Sequence, residues 1–204
     1  MIKPWYNIKS YRKVKENQEK KRKVLDLLST YINQLRNENK TIERIIQWSE
    51  YAKKETIDVF KRFIFRWISF NGLYSAIYAF SQGPNGQEKA DSTGDLDKIN
   101  FFCNTFILSN GNIASRVYSK DLKDVFLNYI KKREDKHIEE NLKVLNSSAP
   151  VGHKTKSIII VAYKIRCRLF HGEKNPNLYV NRKLVKAADK VIDSLMEYIN
   201  IFST

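Results

Sequence analysis

Apolar residues recur at intervals of three and four through most of this chain, the spacing that gathers them on one face of an α-helix. The first stripe is Val24, Leu25, Leu27, Leu28, Tyr31, Ile32 and Leu35. It predicts a helix from about Ser10 that ends near residues 36–39, where asparagines weaken it. Ile42, Ile45 and Ile46 mark the next face, with Thr41 expected as a simple N-cap; Arg44 stands where a capping box needs Glu or Gln. From Thr56 the pattern intensifies through Phe60, Phe63, Trp67, Phe70, Tyr74 and Ile77, predicting a long, heavily buried helix that ends near Phe80. Residues 81–93, SQGPNGQEKADST, read as a loop. Further helices are expected over 95–108, with a break at 109–112, then over 121–132 and 137–145. A linker at 146–152 leads to a helix beginning near residues 153–157. Its apolar run, Ile158 to Ala162, occupies every side, so the helix should be buried on most faces. A polar loop at 172–181 precedes a last helix over 184–201.

The expected fold class is therefore all-α. Seven glycines and four prolines in 204 residues suit long helices better than a many-turned β-sandwich. The length fits one compact unit, divided into a basic N-terminal arm and helix (1–40) and a helical domain (41–204). No apolar run approaches the roughly 20 residues that span a bilayer, and the basic N-terminus is not followed by a signal-peptide core. No membrane partner is expected. Cys103 and Cys167 make no disulfide framework, and no CxxC or Cys/His cluster points to zinc. No metal or cofactor is expected, and the setting is read as cytoplasmic and reducing. Gly83, Gly86 and Gly94 form no phosphate loop, since neither a preceding strand nor a Gly-Lys-Ser/Thr accompanies them.

Charge changes the picture. The formal net charge is +15. Residues 1–23 carry nine Lys/Arg against two Glu, and residues 154–186 carry nine against Glu173 alone, so these two segments hold the whole excess. Such patches attract polyanions and release counterions on binding. Nucleic acid is the first candidate; an anionic surface, an acidic protein or a merely solvated face are the others.

The second basic segment contains the stretch that organises the chain, Ile158 to His171 followed by Gly172. A plain structural reading is available: cations offset the negative end of a helix, and glycine suits the left-handed turn beyond it. His171 would then simply cap the helix. The sequence Arg166-Cys167-Arg168-Leu169-Phe170-His171-Gly172 also resembles the Arg-x4-6-His signature of the HEPN superfamily, with Cys167 where that family usually has a polar residue. Upstream, Arg66-Trp67-Ile68-Ser69-Phe70-Asn71-Gly72-Leu73-Tyr74 is similar to a helix that accompanies the motif in some HEPN-like families. The resemblance covers roughly residues 56–198. It implies an up-and-down helical bundle with additional helices and metal-independent endoribonuclease activity. It also implies a homodimer whose two Arg-His pairs face one cleft, and a toxin or phage-defence role with an antitoxin protein as partner.

The residue types suit that chemistry. Cleavage of RNA through its own 2′-OH needs a base, an acid and a cation on the phosphorane. Histidine titrates near neutrality, and the arginine fork donates two parallel hydrogen bonds to phosphate. No carboxylate cluster accompanies the motif, as metal-dependent schemes would need. Five positions on an ideal helix separate two side chains by about 140°, so Arg166 and His171 converge only if the helix ends near Phe170 and His171 turns inward, a turn that Gly172 would allow. The resemblance thus makes Arg166 and His171 the catalytic candidates, with Arg168, Lys174 and Lys164 as auxiliary RNA contacts and Asn71 as a residue facing the site. His137 and His153 are read as incidental. The competing readings are a non-catalytic HEPN-like RNA-binding or assembly module and a helical interaction protein with no nucleic-acid partner.

Overall fold

The carboxylate of Asp58 begins the element around which the others pack. It accepts from the Phe60 and Lys61 backbone N–H groups at 2.9 and 3.3 Å, bonding two of the amides that a helix start leaves unpaired. The helix it caps, α3 (Val59–Ser81), buries Phe63, Trp67, Phe70, Leu73, Tyr74 and Ile77 completely. A helix with apolar residues on nearly every side must be enclosed. The computed structural model describes residues 8–130, 136–172, 175 and 177–199, and among them every regular element is helical, with no strand.

The enclosing helices follow in chain order. α1 (Ile8–Asn37) contributes Leu28, Ile32 and Leu35 from its C-terminal half to the core, while Arg22, Lys23 and Leu25 to Leu27 are exposed. α2 (Asn39–Lys54) lies along α3. There Ser69 Oγ donates to the Ile45 carbonyl at 2.7 Å, and a Cβ at Gly72 would come within 2.9 Å of the Ile45 side chain. α4 (Gly86–Ser92) and α5 (Asp95–Phe102) cover another part of α3. A π-helical turn, Cys103–Ile107, continues α5 and keeps Phe106 and Ile107 fully buried. α6 (Gly111–Val117), α7 (Lys120–Ile130) and α8 (Lys136–Asn146) are short. α9 (Val151–Phe170) packs on α6, α8 and α10 (Tyr179–Ile199), and α10 returns to α3.

Where α10 meets α3, two arginines pair with two aspartates. Arg62 Nε donates to Asp189 Oδ2 at 2.8 Å, Arg66 Nη1 bonds Asp189 Oδ1, and Arg66 Nη2 pairs with Asp193 at 2.9 Å. Arg66 and Asp189 are both buried. No helix among the described residues is long and apolar enough to cross a membrane.

Several sequence expectations need correction. Thr41 is not the cap of α2: the helix starts at Asn39 after Glu38, and the Thr41 N–H already bonds the Glu38 carbonyl at 2.9 Å. Residues 81–93 are not wholly a loop, because α4 forms within them; polar, glycine-bearing sequence gives little periodic signal over only two turns. The break at 109–112 is short, and Asn110 caps α6 by accepting from Asn112 and Ile113 N–H groups. α9 starts earlier than expected, at Val151, and α10 at Tyr179 rather than Leu184. Their opening turns are partly exposed and so lack an apolar stripe.

Candidate functional site

The C-terminal turns of α9 carry the Arg-His element. The helix ends at Phe170, His171 takes φ −83° and ψ 8°, and Gly172 follows at φ +72°. That left-handed conformation is open to glycine at no steric cost. The His171 N–H still reaches the Cys167 carbonyl at 3.0 Å, and the Gly172 N–H reaches that of Leu169 at 3.1 Å. The helix therefore stops at Phe170, the first half of the condition for convergence, but His171 stays exposed instead of turning inward, so the second half is not seen. His171 is exposed, Arg166 is half-buried, and no hydrogen bond or ion pair joins them among the described residues.

Arg166 faces inward. Its guanidinium carbon lies 4.7 Å from the centre of the Phe170 ring, and Nη1 lies 3.7 Å from Asp95 Oδ2. Arg166 Nε is buried without a hydrogen-bond partner. Lys164 and Arg168 are half-buried, and Lys164 Nζ sits 5.6 Å from the ring of Tyr163. Lys174 lies outside the described residues, as does the side chain of His137. Asn71 is half-buried on α3, where its Oδ1 accepts from Ser75 Oγ at 3.1 Å; no hydrogen bond takes it to Arg166 or His171. His153 is exposed in the first turn of α9.

Around Arg166 the fold assembles groups that sequence reasoning passed over: Asp95 from α5, Tyr74 from α3, and Tyr163 one turn earlier on α9. Tyr74 Oη is buried with no hydrogen bond of regular geometry. Burial first, and then the Asp95 carboxylate, hold its hydroxyl far above the ordinary phenol range, against a smaller opposing pull from Arg166. Burial and then the Cys167 side chain push Tyr163 up to about 12. Both phenols therefore keep their protons at neutral pH. The usable signal for Asp95 was weak, since a carboxylate in the first turn of a helix is ordinary. Tyr74 was hidden in the apolar stripe of α3.

Exposed large apolar side chains stand just before and shortly after His171 in the chain. Phe170, Leu178, Tyr179 and Val180 are 55%, 46%, 71% and 42% exposed. Lys183 Nζ lies 4.7 Å from the Tyr179 ring centre. Among the described residues no group of three or more His, Cys, Asp or Glu is arranged to hold a metal ion. Comparison of the chain with protein-family models, with curated proteins and with solved structures finds no match.

Proposed function

We propose that this chain is a metal-independent endoribonuclease of the HEPN-like kind, an RNA-cleaving effector of toxin or phage-defence type. The observation that carries the reading is Arg166, a half-buried guanidinium with no hydrogen bond to the described residues, one turn before an exposed histidine at a helix end. A cation held near the surface with its donors unused suits a phosphate. In the proposed reaction a base takes the proton of the ribose 2′-OH, and the 2′-oxygen bonds phosphorus. The bond to the 5′-oxygen breaks, and an acid protonates that leaving oxygen, giving a 2′,3′-cyclic phosphate and a 5′-hydroxyl. His171 serves as one of the two proton-transfer groups, and Arg166 steadies the phosphorane charge. Arg168, Lys164 and Lys174 contribute auxiliary phosphate attraction.

One His supplies one proton-transfer group, so a second copy completes the site in this reading. The exposed apolar surface at Phe170 and residues 178–180 supports a symmetric contact beside the motif. Light scattering at micromolar concentration is expected to give twice the chain mass, and a Tyr179→Asp, Phe170→Asp double variant to give the monomer. A wild-type monomer would count against the shared site.

The enzymatic reading is tested on a mixed RNA pool in the presence of EDTA. Wild type is expected to leave cyclic phosphate ends. Arg166→Ala and His171→Ala are each expected to slow cleavage by about a hundredfold or more. Salt-sensitive RNA binding without cleavage would instead favour a non-catalytic binding module. That second reading draws on the missing contact between Arg166 and His171.

A further inference from the structure

A guanidinium near the core has to be aimed by something, and the charge that faces Arg166 is Asp95. This residue opens α5 after Gly94, where the positive end of the helix favours a carboxylate. Its two oxygens serve different cations. Oδ1 lies 3.7 Å from Lys98 Nζ, and Oδ2 lies 3.7 Å from Arg166 Nη1. Lys98 is buried and anchored by a 3.0 Å hydrogen bond to the Ala90 carbonyl. Asp95 is thus fixed from one side and attracts Arg166 from the other.

The separation matters. At 3.7 Å the pair is in ionic contact but too far apart for an N–H···O hydrogen bond. A purely structural Arg–carboxylate pair commonly closes into two parallel bonds. Here the arginine lies against the Phe170 ring, and its N–H groups stay uncommitted among the described residues. Buried polar groups left without partners are costly, so an open donor set on Arg166 points to a ligand that brings acceptors.

Resting on the ribonuclease reading, we propose that Asp95 is a positioning residue that aims Arg166 at the substrate phosphate by charge alone, leaving the guanidinium fork to bond the phosphate oxygens. Asp95 itself touches no reacting atom. Its own negative charge repels phosphate, so the two roles open to it have opposite signs. A carboxylate that acts only as background charge weakens RNA binding, and one that aims Arg166 strengthens it.

The experiment measures affinity for an uncleavable 2′-O-methyl RNA oligonucleotide at one salt concentration. The proteins compared are wild type, Asp95→Asn, Asp95→Glu, Arg166→Ala and the Asp95→Asn, Arg166→Ala double variant. The side chain of Asp95 is 26% exposed and asparagine has its shape, so the fold is expected to persist, as a thermal melt would register. Asp95→Asn is expected to weaken binding about tenfold when Arg166 is present and not when it is absent. Asp95→Glu, which keeps the charge, is expected to recover part of the loss. Tighter or unchanged binding in Asp95→Asn, an equal change in both backgrounds, or no binding by wild type would overturn the proposal. Cleavage of unmodified RNA, followed in parallel, decides the underlying reading separately. Coupling without cleavage removes the nuclease and keeps the role of Asp95; cleavage without coupling does the reverse.

Discussion

Asp189→Ala is expected to lower unfolding stability by about 3–5 kcal/mol. The carboxylate answers two guanidiniums at once, from Arg62 and Arg66, and its side chain is only 6% exposed. Its removal leaves Arg66, 7% exposed, with Asp193 alone, a residue at the edge of the interface whose side chain is 38% exposed. A buried charge short of its partner carries its full desolvation penalty, whereas an apolar pair of similar volume does not. Urea unfolding followed by circular dichroism checks the loss. Replacing Arg66 with Met together with Asp189 with Leu should recover most of it, because Arg62, 22% exposed, can turn to solvent. A loss below about 1 kcal/mol in the single variant would mean that Arg66 escapes to water, contrary to the packing seen here.

Gly86→Ala is expected to cost about 3 kcal/mol or more, seen as a fall in melting temperature of about 6–12 °C. A Cβ built at this position would overlap the Ala79 carbonyl oxygen and lie 2.7 Å from its carbon. Both are backbone atoms, so no rotamer change relieves the overlap, and α4 would have to move off the end of α3. Gly86 also donates its N–H to the Gly83 carbonyl at 2.8 Å, which fixes the turn that brings the two helices so close. Gly111 provides the control. Nothing lies within 4 Å of its added Cβ, and it begins α6, so Gly111→Ala should be neutral or stabilising. Equal melting temperatures for the two variants would sink the close-approach explanation.

The helices with strong stripes were legible in the sequence because their periodicity reports a buried face directly. α3 and α10 are the clearest cases, and the run Ile158 to Ala162 is buried apart from a half-buried Ile160. α4 and α6 were not legible, being seven residues each, too short for a repeat to show. The end of α9 could be read from Gly172, whose left-handed φ is a local property. The surroundings of Arg166 could not. Asp95 lies 71 positions before it and comes to it only through the packing of α5 on α9. Nor could the pairing of Arg62 and Arg66 with Asp189 be read, since each residue has the composition of a solvated surface until α3 and α10 are brought together.

That last contact sets a timetable for synthesis. Arg62 and Asp189 are 127 positions apart. At about 5–20 residues per second, roughly 6–25 s separate the translation of Arg62 from that of Asp189. Throughout that interval Arg62 and Arg66 on α3 lack the two carboxylates, Asp189 and Asp193, that α10 brings to them. Those cations keep the waiting helix hydrated on the side that α10 will take. The same charges that are later paired across the α3–α10 contact are therefore expected to oppose aggregation of the unfinished chain.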